Sequence, residues 1–352
     1  MVADTTAPGH SRSDARGYPW TAHSVDANGT EWRELLEATD HMVFHEPAWA
    51  RVTERGFGAE SCAVVFVRDG VVRGGLLGFT FRTLWAKLLY VSFPYGGVIG
   101  DAPSGAELTR LLGDIARRLG VSRIRITDCP RLPAAEFAGF DRVELRTHLL
   151  DLSCGDYEVL WSGFKSRIRR DVRKAERAGV TVSQGSDAGH LSAFYALYLE
   201  SMKRNAALAK YAQELVNAMV EELGPADRCA VLLARREGEP IAGILVVDSS
   251  NMSHYLMGGS TTAGLAHCPN DLLLHTAIRR AVDKRLEAFD FLPSGNDDPA
   301  LEQFKAKWGA TPLPLFVHTA TTHPYRMACW DAAYGLASSR IGSALVRAIR
   351  RR

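Results

Sequence analysis

No stretch of this 352-residue chain stays apolar for the roughly 18–20 residues that a membrane-spanning helix needs. The longest apolar runs, such as 241–247, are strand-sized. The first 20 residues are polar and lack the apolar block of a secretory signal, so a cytoplasmic protein is expected. Charge of one sign is missing too: 42 Lys and Arg face 40 Asp and Glu, leaving +2. Net charge therefore predicts no polyanionic partner, and no DNA partner is expected; a nucleic acid would need a local basic patch. The six cysteines, Cys62, Cys129, Cys154, Cys229, Cys268 and Cys329, form no C-x-x-C pair. A structural zinc or disulfide framework is not expected, and reduced thiols are the default. G-x-S-x-G, the P-loop and G-x-G-x-x-G are all absent. Covalent serine catalysis, P-loop phosphoryl transfer and dinucleotide redox chemistry lose their sequence support. His41, His45 and Glu46 do not spell H-E-x-x-H, and Pro47 follows at once, so no metal site is expected.

What is present is an ordinary globular composition, 46% apolar and 23% charged, in a length that suggests two domains. Residues 1–28 read as a flexible tail. A helix follows near 31–36, and a second begins at Pro47, a good first-turn residue. Strands at 62–67 and 71–81 flank Asp69-Gly70, a hairpin signal. Then come an apolar run at 88–93, an amphipathic helix at 106–119 stopped by Gly120, and a strand at 123–127. The order recurs later: strands at 230–234, 241–247 and 253–258, a helix at 271–285, a strand at 288–292. Ala63-Val64-Val65-Phe66-Val67-Arg68 and Ala230-Val231-Leu232-Leu233-Ala234-Arg235 precede their turns in the same way. We read this as a duplicated α/β unit. Helices at 164–178, 191–204 and 213–223 lie between the halves, and a basic helix at 326–352 ends the chain.

Four features carry candidate chemistry. In 164–179, Phe164, Ile168, Val172 and Ala175 share one helical face and basic groups fill the rest. Arginine forks suit phosphate, so Lys165, Arg167, Arg169 and Arg170 are candidate contacts; a solvated helix with Arg–Glu pairs explains the pattern as well. Phe304 and Trp308 are i, i+4 neighbours and should face inward, with Lys305 and Lys307 pointing elsewhere. A lysine fixed there would stay cationic and suit an oxyanion, though a surface lysine on a capped helix is the commoner case. Asp290 alternates with Phe289 and Phe291 at a strand's carboxyl end, and Ser294 follows in a polar loop, where ligands sit in open α/β sheets. Asp290 could accept a proton from an amine or hold a loop. The loop 258–271 joins strand to helix but has no Arg or Lys; Asn270 reads first as a helix cap, and Tyr255 lines a cleft or packs.

Together these residues resemble the FemAB-like proteins, peptidoglycan-bridge aminoacyltransferases and BioF2-like acetyltransferases of the GNAT superfamily. The likeness rests on Pro94-Tyr95-Gly96-Gly97, the basic run ending Lys174-Ala175-Glu176-Arg177-Ala178-Gly179-Val180, Pro269-Asn270-Asp271-Leu272-Leu273, Phe289-Asp290-Phe291 and Phe304-Lys305-x-x-Trp308-Gly309-Ala310. It implies two tandem GNAT-like (acyl-CoA N-acyltransferase) α/β domains, each a mixed sheet flanked by helices, at 29–152 and 153–325. It implies an N-acyltransferase acting on a peptide or cell-envelope precursor such as peptidoglycan. Lys305 takes the family's signature position, and Phe304 shapes the cleft. Catalytic roles are thus expected for Lys305 and Asp290. Substrate contacts are expected from Phe304, Trp308, Tyr255, Ser294, Asn270, Lys165, Arg167, Arg169 and Arg170. No bound cofactor is expected; the donor is aminoacyl-tRNA or acyl-CoA. The missing basic pyrophosphate grip before Asn270 favours aminoacyl-tRNA. The alternatives are acyl-CoA-dependent N-acetylation in envelope polysaccharide synthesis and a non-catalytic nucleotide- or RNA-binding pair. Peripheral membrane contact through Arg347–Arg352 is a weaker expectation.

Overall fold

The computed structural model describes residues 19–83, 86–293 and 299–338. Ser294 and the basic end at 347–352 lie outside them. The first half runs β1 (Thr21–Val25), α1 (Thr30–Ala38), α2 (Pro47–Phe57), β2 (Glu60–Arg68), β3 (Val71–Arg82), β4 (Lys87–Val91), β5 (Ile99–Gly100), α3 (Gly105–Leu119), β6 (Arg123–Thr127) and β7 (Asp141–Asp151). The second runs α4 (Tyr157–Gly163), α5 (Ser166–Arg177), β8 (Thr181–Gln184), α6 (Ala188–Arg204), α7 (Gln213–Leu223), β9 (Cys229–Arg236), β10 (Glu239–Asp248), β11 (Met252–Ser260), α8 (Pro269–Asp283), β12 (Ala288–Asp290), α9 (Pro299–Ala306), β13 (Thr311–Thr321) and α10 (Pro324–Ser338). Thr21–Val25 corrects the expected tail: it is an edge strand paired with β2 from Thr21↔Val67 to Val25↔Ala63. Backbone pairing along an existing edge needs no apolar sequence of its own.

The turns expected from sequence form as the chemistry requires. Asp69-Gly70 and Glu237-Gly238 each hold two successive positive φ angles and close the β2–β3 and β9–β10 hairpins. The duplication is visible in the pairing. In each half an antiparallel run ends in a short parallel pair, Leu88–Val91 of β4 on Arg123–Ile126 of β6, and Met252–His254 of β11 on Ala288–Asp290 of β12. A helix, α3 or α8, makes each crossover. These are two GNAT-like units in one α/β molecule, and their strands fuse into one sheet ordered β1-β2-β3-β4-β6-β13-β7-β12-β11-β10-β9-β8.

The seam is a strand exchange. β13, late in the chain, lies between β6 and β7 and pairs antiparallel with both. β7 in turn borders β12. Ion pairs reinforce the seam: Arg228 grips both Glu46 carboxylate oxygens at 2.6 and 2.7 Å, and Arg51 meets Glu222 at 2.7 Å. One face of the second half packs α5 and α8 on Ile244, Phe289 and Trp308; the other packs α6 and α7 on Leu245, Val247 and Tyr95.

Candidate active site

A cleft between parallel strands needs the strands to separate. β11 and β12 part after His254↔Asp290, while β11 continues six residues to Ser260. A bulge at Leu256, between partners Leu245↔Met257 and Val246↔Tyr255, re-aims the departing strand. The equivalent opening in the first half is filled by the chain itself. Gly96 N–H donates to Thr127 O at 3.0 Å, and a Cβ on Gly96 would stand 1.8 Å from Val91 O. Only glycine allows that approach, so the Pro-Tyr-Gly-Gly segment is a plug.

The plug delivers Tyr95 to the second half. Its Oη lies 2.9 Å from Asp290 Oδ2. His254 Nδ1 donates to the same oxygen at 2.9 Å, while Thr147 Oγ1 and Leu292 N–H donate to Oδ1. All four side chains of this network are fully buried. Burial first, then the charge of Asp290, pushes the Tyr95 phenol well above its ordinary value and keeps it a donor. Behind His254, Ser249 Oγ contacts Nε2 at 2.9 Å and accepts Val43 N–H at 3.2 Å. This Ser–His–Asp chain has the order of a triad, but Ser249 is buried and both its ends are committed. Asp290 has its four acceptor positions filled, so the geometry gives it a holding role. It fixes Leu292, a non-glycine residue at φ 59, whose carbonyl accepts Lys305 Nζ.

Lys305 departs from the sequence expectation. It does not point away; it is 3% exposed. Its ammonium reaches the Leu292 carbonyl just past the end of β12, so the Lys305 side of α9 also meets protein. Trp308 is buried as expected and meets Phe164 edge-on at 5.3 Å. Lys307 also turns inward, 4.7 Å over the half-buried Phe304 ring and paired with Asp271. Tyr255 stands on β11 just past the parting point, its phenol pushed up to about 12 by burial. A Cβ on Gly258 would come within 2.2 Å of that hydroxyl, so glycine makes its room.

The N-terminus of α8 is the usual place for an anion in such a fold. Here Asp271 occupies it, buried and ion-paired with Lys307, with Asp171 and Cys268 alongside. Burial raises the Asp271 carboxyl above its ordinary value against the pull of Lys307. Asn270 is not the helix cap: Cys268 takes that position and Pro269 opens the helix.

α5 buries Ile168, Val172 and Ala175, as its periodicity requires. Of its candidate phosphate contacts, Arg169 is already committed. Its Nη1 donates to the carbonyls of Trp161, Ser162 and Phe164, which end α4. Lys165, Arg167 and Arg170 are exposed, the two arginines flanking Asp171 at 3.6 and 3.9 Å. An open depression of about 420 Å³ is lined by Ser166, Arg169, Arg170, Arg173, Glu176 and Arg177. Sequence reading passed over Tyr95 as a chemical group, and Thr147, His148, Ser249 and His254 altogether; Tyr95, Thr147 and His254 reach Asp290 from separate parts of the chain, with no local motif between them.

No curated protein matches the chain by sequence. Residues 162–308 match the family model for an acetyltransferase (GNAT) domain. The fold is similar to that of FemX, with a TM-score of 0.65 at 16% identity, covering 86% of this chain and 98% of that one. It is similar to a tandem GNAT protein from the clavulanic acid biosynthesis pathway, at 0.59 and 13%, covering 86% and 98%. It is similar also to L-PGS from Bacillus licheniformis, at 0.53 and 10%, covering 89% and 98%. No described helix is long and apolar enough to cross a membrane. Residues 162–308 thus match a GNAT domain, and the chain as a whole has a tandem-GNAT fold similar to that of FemX.

Proposed function

We propose that the chain is a FemAB-like N-acyltransferase that moves an aminoacyl group from aminoacyl-tRNA to an amine of a peptide or cell-envelope precursor. The observation that carries this reading is the buried Lys305 ammonium at the Leu292 carbonyl, beside the opening between β11 and β12. An activated ester needs no enzyme nucleophile. It needs alignment and a fixed positive charge for the tetrahedral oxyanion. Tyr255, Phe304 and Trp308, which pack in one apolar cluster, would shape the place where the acyl group lies.

Two features favour tRNA over coenzyme A as donor. The α8 N-terminus carries Asp271 where a pyrophosphate would need open N–H groups, and Lys307 is paired to it. The exposed arginines of α5 offer a broad polyanion surface, linked to α9 through Asp171, Asp271 and Lys307. Lys165, Arg167 and Arg170 would meet phosphates. The second reading, an acyl-CoA donor, is favoured by the acetyltransferase description of the matching family.

The test is to give the protein charged tRNA and amine acceptors and follow loss of the labelled amino acid from tRNA. Transfer from charged tRNA with no turnover of acyl-CoA is expected. Turnover of acetyl-CoA with no loss from any charged tRNA reverses the donor. Salt-dependent RNA binding with neither transfer leaves a binding protein.

A further inference from the structure

β7 presents neighbouring polar side chains to opposite faces of the sheet. Thr147 faces Asp290, in the register Asp290↔Leu149. His148, one residue on, shares the face of Leu150 and Phe289, where α8, Trp308 and α9 pack. Its carbonyl accepts Phe291 N–H at 3.0 Å, which ties it to the end of β12. His148 is 3% exposed, and its Nδ1 is buried without a hydrogen-bond partner among the described residues. A buried ring nitrogen left open in the free protein is costly unless a ligand group completes it.

The neighbouring groups leave His148 as the candidate base on this face of the sheet. Asp290 has its acceptor positions filled, Lys305 donates to the Leu292 carbonyl, and Tyr255 is a phenol held protonated by burial. We infer that His148 is the proton carrier of the transfer reaction, taking the proton of the attacking nitrogen and returning it to the departing oxygen. This inference rests on the acyl-transfer reading. The neutral amine adds to the ester carbonyl: a C–N bond forms and the carbonyl π pair moves to oxygen beside Lys305. The nitrogen is now cationic and far more acidic than the protonated form of the free amine. Its proton passes to the imidazole. The oxyanion collapses, the C–O bond to the ribose breaks, and the imidazolium gives its proton to the ribose oxygen. One N–H is consumed, one O–H is made, and His148 is restored.

Burial, then the charge of Lys305, holds His148 below its ordinary 6.5, so it is neutral and ready at pH 7. Arg146 pushes the same way; Glu302 and Asp290 oppose it. Transfer should therefore fall as pH drops through a value under 6.5. The experiment measures kcat/KM against pH for the full chain and for His148→Ala and the similarly sized His148→Gln, with tRNA affinity as the control for folding. Both variants should bind tRNA normally, lose about 10²-fold in kcat and lose the acid limb. Added imidazole should restore part of the His148→Ala rate. If the wild type transfers and His148→Gln keeps its rate and its acid limb, the inference falls alone. If the wild type transfers no acyl group from any donor, the underlying reading falls first.

Discussion

The hydroxyl of Tyr95 lies 2.9 Å from Asp290 Oδ2, joining the plug of the first half to β12 of the second. The contact sits inside the protein, where an unmet carboxylate lone pair is expensive. Tyr95→Phe should lower unfolding stability by about 1–2 kcal/mol, read from urea midpoints at constant slope. Asp290→Ala should cost more, about 3 kcal/mol, because Tyr95, Thr147 and His254 all lose their acceptor. Equal midpoints for wild type and Tyr95→Phe would mean the bond does not hold the halves together.

His45 gives the molecule an acid limit. Nε2 donates to Gly96 O at 2.9 Å, and Nδ1 accepts Met42 N–H at 3.2 Å, so the neutral ring is fully satisfied. Burial lowers its folded value from 6.5 to about 4. Below pH 6.5 the unfolded chain takes the proton and the folded chain does not. Stability present above 6.5 is therefore lost as pH falls toward 4, by up to about 3 kcal/mol. His45→Gln should flatten that slope in a pH series of chemical denaturation. A wild-type curve level between pH 7 and pH 4.5 contradicts the assignment.

The arginines of α5 separate into two kinds. Arg167→Glu with Arg170→Glu should weaken tRNA binding and reduce its salt dependence while leaving the melting temperature nearly unchanged. Arg169→Ala should instead lower the melting temperature, since three carbonyls lose their donor. Filter binding across salt concentrations, beside thermal melts, distinguishes them. The reverse pattern would place Arg169 on the ligand.

Asp271 tests the donor from the other side. Asp271→Ala removes a carboxylate from the α8 N-terminus and frees Lys307. Affinity for coenzyme A, measured calorimetrically, should rise from undetectable to measurable. If the unaltered protein already binds coenzyme A tightly, the blocked-terminus argument fails.

Much of this architecture was legible because local chemistry and long-range packing agree. The Asp69-Gly70 and Gly120 signals, the buried stripe of α5 and the repeated strand order all describe short stretches of chain. The strand exchange was not legible. Pro312 and Pro314 argue against a strand inside a sheet. They fit because β6 pairs only with Val317–Thr321, so β13 has one bare side at the prolines. Lys305 was found as a candidate but misplaced, because helical spacing says which residues share a face and not how many faces are covered. Asp290 was marked by its alternation with two phenylalanines, yet its partners come from Tyr95, Thr147 and His254, on a loop and two strands that only the fold brings together.

The most direct measurement is single-turnover amide formation from labelled aminoacyl-tRNA, comparing the wild type with Lys305→Ala at saturating enzyme. A fixed ammonium at the oxyanion predicts a rate about 10²–10³-fold lower in the variant, with unchanged tRNA affinity. An undiminished rate would contradict the account.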